Sequence, residues 1–482
     1  MGRRQTPLGR SEADVGELSA ADIERLSARL YEFARPYQEL MQLESQGEHL
    51  RTFVGGLVGG IERKSVEPIA IANGQARGPL QHFVGASAWS ESPILALLRT
   101  EVAAELGEAD GVIVLDGSAV PKKGRASVGV VRQWCGRLGK VENCQVGIYL
   151  AYGGKGSGVL VDRRLYLPRE WAADKARRKK THVPREVRFK KAWELGDELL
   201  LANAGHLPHS WIVADDEYGR CSAFRDRLAA RGERYLMEVP SSTCVRRLRG
   251  EVGRPPEWHT TKVVAKRTPV SEWTRHRVRD GEKGPIEVRA MRLPVETKRR
   301  RGGPARETLL VMETVDGTDR WTFLSNADDD VPTSDLVRAA SRRHLIEEAF
   351  ELGKCCVARQ MPTRCTAAGS NRTPEAGAHY TLRIRLAPRP QEARGSGGAT
   401  PGSLLRVRIL PASRRATRLL DGLQRNSKGE VGLDHYEVRN WQGWHHHTAC
   451  ALLGGWFLVR ESRMLGKKSA GDDCEPGPVS VE

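Results

Sequence analysis

Residues 111–118 read Gly-Val-Ile-Val-Leu-Asp-Gly-Ser. The apolar run predicts a buried β-strand, and Asp116 follows it directly, at the carboxyl end of the strand. Residues 211–217 read Trp-Ile-Val-Ala-Asp-Asp-Glu, which has the same form and places Asp215 after a second apolar run. Either aspartate alone is more often a turn residue. Because each closes an apolar strand of one predicted sheet, we expect the two to share a site at its carboxyl edge.

Strands and helices alternate around these two aspartates. Short runs rich in Val, Ile and Tyr predict strands, and longer stretches with three- and four-residue apolar spacing predict helices. The predicted elements are strands at 111–115, 127–135, 144–151 and 158–167, a helix at 187–204, a strand at 210–214, a helix at 223–231 and a strand at 234–239. This order predicts an α/β fold over residues 109–239, with helices covering a mixed sheet.

The regions on either side of this α/β part have different patterns. Residues 1–108 show helical spacing from about residue 19 onwards and predict a helical N-terminal domain, which we expect to bind DNA. Residues 240–328 predict a β-rich insertion without helices. Its predicted strands lie at 260–265, 286–293, 308–314 and 321–325.

A helix predicted within 329–354 carries a candidate third acid, Glu347. Steps of four and seven residues place Arg343, Glu347 and Lys354 on one face of this helix. On the helix alone, the pattern is more typical of a solvent-exposed stripe of ion pairs than of a site. Three carboxylates, however, can hold two Mg²⁺ ions about 4 Å apart for in-line displacement at phosphorus. Basic neighbours would then bind the DNA backbone.

Residues 355–427 differ from the rest of the chain. They contain 13 Arg, no Lys and three acids, so that +10 of the net charge of +17 lies in this segment. Its richness in Arg, Pro, Gly and Ala, with weak periodicity, predicts a poorly ordered atypical insert. Residues 428–466 predict a C-terminal helical part of the core, followed by a polar tail over 467–482.

Two shorter patterns have more than one interpretation. The Gly-rich run 153–158 could bind phosphate, but it lacks the spacing of a P-loop and lies between two predicted strands, so it favours a hairpin. The three consecutive histidines at 445–447 lack the Cys or Glu spacing of a metal site. We expect them to lie beside DNA or at the start of a helix.

Composition limits the class of protein. With 482 residues and about 150 residues per domain, the chain should hold about three structural units. The net charge of +17 favours a polyanionic partner, nucleic acid first. The longest apolar stretch near the C-terminus, 448–459, is too short to cross a bilayer, so we expect no membrane segment. Nine scattered cysteines without a Cys-x-x-Cys pair favour reduced thiols and a cytoplasmic location.

Several short motifs occur one after another along the chain. Residues 121–133 read Pro-Lys-Lys-Gly-Arg-Ala-Ser-Val-Gly-Val-Val-Arg-Gln, 143–145 read Asn-Cys-Gln, and 165–168 read Leu-Tyr-Leu-Pro. Residues 429–441 read Gly-Glu-Val-Gly-Leu-Asp-His-Tyr-Glu-Val-Arg-Asn-Trp. Together with Asp-Gly-Ser at 116–118, these motifs resemble the DDE-type transposases of bacterial insertion sequences, close to the insertion sequence seven-hundred-and-one group. The resemblance covers most of the chain from about residue 50 to 458, apart from the Arg-rich segment.

The resemblance implies an RNase H-like catalytic core with a β-rich insertion before the last acid. It further implies Mg²⁺ as the metal, with Mn²⁺ able to substitute, and no organic cofactor. The activity it implies is cleavage and joining of DNA at the inverted-repeat ends of an insertion sequence, by hydrolysis and transesterification. Residue by residue, Asp116, Asp215 and Glu347 match the catalytic, metal-binding acids. Asp216 remains an alternative to Asp215 at a register one residue away.

The resemblance also assigns basic residues to DNA. Arg343 and Lys354 match the Arg and Lys of a Tyr-Arg-Glu-Lys signature, in which Ala340 stands at the position of the Tyr. Because 73 residues separate Lys354 from Lys428, either Lys can take the signature position. The predicted DNA contacts are Arg343, Lys354, Lys122, Lys123 and Arg439.

The expected partners are the terminal inverted repeats and target DNA, in the cytoplasm at the nucleoid, with a homodimer compatible with this function and no membrane partner. Two other interpretations stay open. An inactive transposase remnant would bind DNA without cutting it. A host nuclease on the same core would cut without preference for particular ends.

Overall fold

The computed structural model describes residues 20–61, 63–248, 256–281, 284–299, 302–343, 345–346, 349, 382–384, 405–407 and 431–471. The predicted third acid Glu347, the predicted DNA contact Lys354 and its alternative Lys428 lie outside these residues. Most of the predicted 355–427 insert and of the 467–482 tail also lies outside them.

Five helices precede the first strand, and a long one closes the described chain. In order, the α-helices are α1 (Ala20–Gln38), α2 (Glu44–Val58), α3 (Val66–Ala72), α4 (Arg77–Gly85), α5 (Ser92–Leu106), α6 (Arg169–Ala173), α7 (Lys175–Lys180), α8 (Ala192–Asn203), α9 (Asp216–Gly219), α10 (Ser222–Ala230), α11 (Thr261–Arg267), α12 (Thr333–Ser341) and α13 (Trp441–Gly471). Apolar residues at helical spacing on α2, such as Leu50, Phe53 and Leu57, are fully buried and belong to the same core as the sheet. The N-terminal helices therefore share one core with the α/β part.

The N- and C-terminal helices are also joined by polar contacts. Arg29 on α1 forms an ion pair with Glu461 on α13 at 2.7 Å, and the Glu461 side chain is buried. The indole Nε1 of Trp456 donates a hydrogen bond to Glu101 on α5 at 2.8 Å. These contacts fix α13 against the helices that precede the sheet.

One large mixed sheet runs through the α/β part and the insertion. Its strands are β1 (Val112–Pro121), β2 (Val131–Cys135), β3 (Lys140–Gly154), β4 (Ser157–Leu165), β5 (Trp211–Ala214), β6 (Tyr235–Glu238), β7 (Cys244–Arg247), β8 (Trp258–Thr260), β9 (Thr274–Gly281), β10 (Gly284–Thr297), β11 (Ala305–Thr314) and β12 (Arg320–Ser325). A separate pair is formed by β13 (Leu382–Ile384) and β14 (Leu405–Val407). The order is β2-β3-β1-β5-β6-β12-β11-β10-β7-β8, with β4 also on β3 and β9 also on β10.

The sheet has two halves with different strand directions. In the first half, β4, β3 and β1 are antiparallel, and β5 and β6 then run parallel to β1. In the second half, β12, β11, β10 and β7 continue outward from β6 as an antiparallel sheet. The predicted mixed α/β class is therefore confirmed.

Three predictions about local structure were wrong. The first strand was predicted to end at 115, directly before Asp116, but β1 continues to Pro121 through its pairing with β3, so Asp116 lies inside the strand. The stretch 260–265 in the insertion was predicted as a strand, but it lies largely in α11, so the insertion is not free of helices. The Thr260 side chain accepts a hydrogen bond from the backbone N–H of Val263 at 3.4 Å, which caps the helix. The strand predicted over 127–135 begins later, at Val131.

The connection between β3 and β4 confirms the hairpin predicted for the Gly-rich run 153–158. Gly153 pairs with Gly158, and Lys155 and Gly156 form the turn with φ values of +46° and +73°. A two-residue turn with both φ values positive matches the twist of the flanking strands.

No helix in the described part of the chain is both long enough and apolar enough to cross a membrane.

Candidate active site

Three carboxylates lie in one row across β1, β5 and β6, at the level where β5 and β6 end and β1 continues. These strands are parallel. At their last paired level, Leu115 lies opposite Ala214, and Ala214 lies opposite Met237. The next residue after each of these three is Asp116, Asp215 or Glu238. Side chains alternate between the two faces of a strand, so residues in one row point to the same face. The structure thus brings together the first two predicted acids and adds a third carboxylate beside them.

Asp116 and Asp215 repel each other electrostatically. Burial and the negative charge of Asp116 raise the pKa of Asp215 from 3.8 to about 7, partly offset by the positive charge of Arg343. The Asp215 carboxylate accepts a hydrogen bond from the N–H of Glu217 at 3.1 Å, and that of Asp116 accepts one from the N–H of Gly117 at 2.7 Å. Two such like charges in a half-buried site favour a bound cation.

Glu238 forms an ion pair with Arg343. Arg343 was predicted to contact DNA, and the structure places its guanidinium at the carboxylate row instead of on an open surface. Glu238 was not among the residues predicted from the sequence. A signal was present, because Tyr-Leu-Met-Glu over 235–238 has the same form as the two aspartate strands, an apolar run closed by an acid.

The register alternative Asp216 lies differently from Asp215. It is the first residue of α9 and forms an ion pair with Arg220 one turn later, with more than a third of its side chain exposed. Asp215 is the residue that directly follows β5 in the row with Asp116. The geometry therefore favours Asp215 as the second acid.

The predicted third acid, Glu347, lies outside the described residues, but some of its neighbours are described. Leu345, Ile346 and Ala349 are buried. Leu345 lies so close to the β3–β4 hairpin that a Cβ placed on Gly153 would be 2.9 Å from its Cδ1. Within the described part of the chain, no cluster of three or more His, Cys, Asp or Glu side chains is arranged to hold a metal.

Lys122, a predicted DNA contact, packs against the C-terminal segment. Its ammonium lies 3.5 Å from the ring centroid of Tyr436 and donates a hydrogen bond to the Tyr436 carbonyl at 2.9 Å. Burial lowers the pKa of Lys122 to about 8, against the opposing effect of Asp434 and Glu437. The other two predicted contacts in this region, Lys123 and Arg439, are exposed.

Several motif residues of the sequence support the loop over 122–130. Asn143 donates hydrogen bonds to the carbonyls of Lys122 and Gly124, at 2.5 and 2.9 Å. Gln145 donates to the carbonyl of Val128 at 2.6 Å, and the Val128 N–H donates to the Arg439 carbonyl at 2.9 Å. The motifs therefore hold this loop and the segment before α13 against the end of β1.

The three histidines His445, His446 and His447 lie near the start of α13, which was one of the two expectations for them. All three are buried, and burial lowers the pKa of His445 to about 4 and that of His447 to about 3. His446 stacks on Trp89 with ring centroids 3.7 Å apart. Their side chains are packed between α13 and the elements beside it, so they present little surface to a partner.

The part of the chain that carries the three carboxylates matches a known family profile. A family profile described as DDE superfamily endonuclease matches residues 37–285, just over half of the chain. The matched range includes Asp116, Asp215 and Glu238, and ends within the insertion. No curated protein matches the chain.

Proposed function

Because the chain belongs to the DDE superfamily of endonucleases, we propose that it is a transposase that cleaves and joins DNA at the inverted-repeat ends of a bacterial insertion sequence. The observation that carries the proposal is the carboxylate row. Asp116 on β1 and Asp215 at the end of β5 lie side by side on two adjacent parallel strands, and the pKa of Asp215 is raised to about 7 by burial and by Asp116. Such a pair of carboxylates, held together at a sheet edge, is the expected start of a metal-dependent nuclease site.

The strand order supports an RNase H-like core. Three antiparallel strands, β4-β3-β1, are followed by two strands parallel to β1, with α8 before β5 and α10 before β6. In this arrangement the first acid comes from the first strand of the core. The second comes from the strand that lies next to it after a helical crossover. The two acids therefore meet although 98 residues lie between Asp116 and Asp215 in the chain.

The donor set fits a divalent metal. Carboxylate oxygens are the ligands that Mg²⁺ prefers, and a cation bound between Asp116 and Asp215 would relieve the repulsion that raises the pKa of Asp215. We propose that Asp116, Asp215 and Glu347 hold Mg²⁺, which Mn²⁺ can replace. When bound, the metal supplies an activated water or 3′ hydroxyl and neutralises charge on the leaving oxygen.

The chain's own residues then have distinct roles. Asp116 and Asp215 must both be ionised to bind the metal, and Arg343 offsets part of the negative charge of the site through its ion pair with Glu238. Lys123 and Arg439 are exposed and can neutralise phosphates of the bound DNA. Lys122 acts on DNA through the loop and the C-terminal segment that it holds together.

The test uses the full chain and the genomic DNA that flanks its reading frame. With Mg²⁺, we expect cleavage at discrete positions, and Asp116→Asn, Asp215→Asn and Glu347→Gln should each abolish cleavage while DNA binding stays nearly intact. Asp216→Asn is the matched control and should cleave normally. Retained cleavage in Asp116→Asn would contradict the site, and an inactive Asp216→Asn beside an active Asp215→Asn would move the register by one residue.

One observation favours the second candidate, an inactive remnant that only binds DNA. The Arg-rich segment 355–427 separates the signature position Lys354 from the Gly-Glu-Val-Gly block at 429–432. A wild-type chain that binds the flanking DNA but never cuts it, with Mg²⁺ or Mn²⁺, would support the remnant. Cleavage without preference for particular ends would support a host nuclease.

A further inference from the structure

The hairpin formed by β2 and β3 extends past the carboxylate row. Asp116 on β1 lies opposite Tyr149 on β3, whereas the hairpin pairs Trp134 with Val141. These two levels are eight positions apart along β3, which corresponds to about 26 Å at about 3.3 Å per residue. Because β5 and β6 end level with Asp116, the hairpin overhangs the edge of the sheet at which the carboxylates lie.

The hairpin presents an apolar surface on the same face as the carboxylates. Tyr149 and Val141 are eight positions apart on β3, an even number, so Val141 and its partner Trp134 lie on the face of Asp116. Trp134 is 63% exposed, Val141 is 51% exposed, and Leu138 at the tip is 41% exposed. Trp is highly buried on average, and three neighbouring exposed apolar residues indicate an interaction site.

The surface between the carboxylates and the hairpin is basic. The loop over 122–130 lies beside the hairpin strand β3, because its carbonyls accept hydrogen bonds from side chains of that strand. Its exposed cations are Lys123 and Arg125, and Arg439 and Arg132 add two more. An acid on the hairpin, Glu142, forms an ion pair with Lys140. A polyanion fits this surface, whereas two copies of the chain would bring like charges together.

We propose that the β2–β3 hairpin binds duplex DNA next to the cleaved phosphate, with Trp134 as an apolar wedge at a base step. This inference rests on the proposed function, since it takes the carboxylate row as the place of cleavage. A separation of about 26 Å corresponds to about eight base pairs at about 3.4 Å each. Apolar side chains inserted between base steps unstack them, and stacking of one aromatic side chain on a base contributes a gain in affinity of about 5- to 100-fold.

The experiment compares Trp134→Ala, Trp134→Phe and a control, Leu201→Ala, in binding the flanking genomic fragments without metal. Leu201 on α8 is as exposed as Trp134, at 66%. We expect Trp134→Ala to weaken binding about 5- to 100-fold, Trp134→Phe to bind nearly as the wild type, and Leu201→Ala to bind unchanged. The salt dependence of DNA binding should separate the apolar contribution of Trp134 from the ionic contribution of Arg132. Trp134→Ala removes no charge and should keep the slope, whereas Arg132→Ala should lower it by about one.

A second readout locates the contact on the DNA. Thymines unstacked by the wild-type protein should become reactive to permanganate about eight base pairs from the cleavage position, and Trp134→Ala should abolish this reactivity.

The outcomes distinguish a failure of the hairpin inference from a failure of the proposed function. If the wild type cleaves its ends but Trp134→Ala binds and unstacks like the wild type, the hairpin inference is wrong and the proposed function stands. If the wild type neither binds nor cleaves the flanking DNA, both fail. A change from dimer to monomer in Trp134→Ala, with DNA binding intact, would identify the hairpin as a contact between copies and overturn the inference.

Discussion

Replacing Asp215 by Asn should stabilise the metal-free protein at neutral and alkaline pH while it abolishes cleavage. In the folded protein, burial and the charge of Asp116 raise the pKa of Asp215 to about 7, from an ordinary value of 3.8. The folded protein therefore binds a proton at Asp215 more tightly than the unfolded chain does. The stability that this provides is fully present below about pH 4 and is lost as the pH rises through about 7.

The magnitude follows from the size of the shift. About three pKa units correspond to about 4 kcal/mol of lost stability at alkaline pH, and most of that loss, up to about 3 kcal/mol, falls between about pH 5 and pH 8. Asn carries no charge at any pH, and it can keep the hydrogen bond that Asp215 accepts from Glu217, since Asn and Asp cap helices equally well. The variant should therefore gain stability over the wild type as the pH rises.

Urea unfolding in EDTA at about pH 5 and pH 8, followed by circular dichroism, measures this difference. Asp216→Asn is the matched control, because Asp216 lies at the surface in an ion pair with Arg220 and should change stability little. An Asp215→Asn variant that is less stable than the wild type at both pH values, by the same amount, would refute the reasoning. Mg²⁺ at about one hundred times its Kd should add about 2.7 kcal/mol to the wild type at the higher pH and much less to Asp215→Asn.

Three further predictions concern the surroundings of the site. Glu238→Gln should reduce the cleavage rate about tenfold without loss of DNA binding, because Arg343 loses its ion pair, and an unchanged rate in single-turnover assays would contradict that role. Lys122→Met should lower stability by about 1 to 2 kcal/mol in urea unfolding, since it removes the contact with Tyr436, and an equally stable variant would argue against it. Deleting 355–427 together with one of the two signature lysines should give a soluble protein that cleaves its ends faster than the full chain, whereas an unfolded product by circular dichroism would identify the segment as an integral subdomain.

The local pattern of the chain was enough to predict most strands of the first half of the sheet and the two aspartates. Buried strands are continuous apolar runs, and an acid that closes such a run is a candidate for the carboxyl edge of the sheet. This held for Asp215, whereas β1 continues past Asp116 to Pro121 because β3 pairs with it there. The same pattern failed at 260–265, which was predicted as a strand and lies largely in α11. The hydrogen bond between Thr260 and Val263 and the packing of Val264 favour a helix there, and neither contact is visible in residue type alone.

The contacts between residues far apart in the chain were decided by the tertiary structure alone. Glu238 and Arg343 are 105 positions apart, and Gln145 and Tyr436 are 291 apart, yet each pair is in direct contact. The sequence identifies the types of residue and their local periodicity. Which strand lies beside which, and therefore which carboxylates share a row, depends on strand register and on the packing of helices from both ends of the chain. Those are set by the burial of one common core, a property of the whole chain and not of any segment of it.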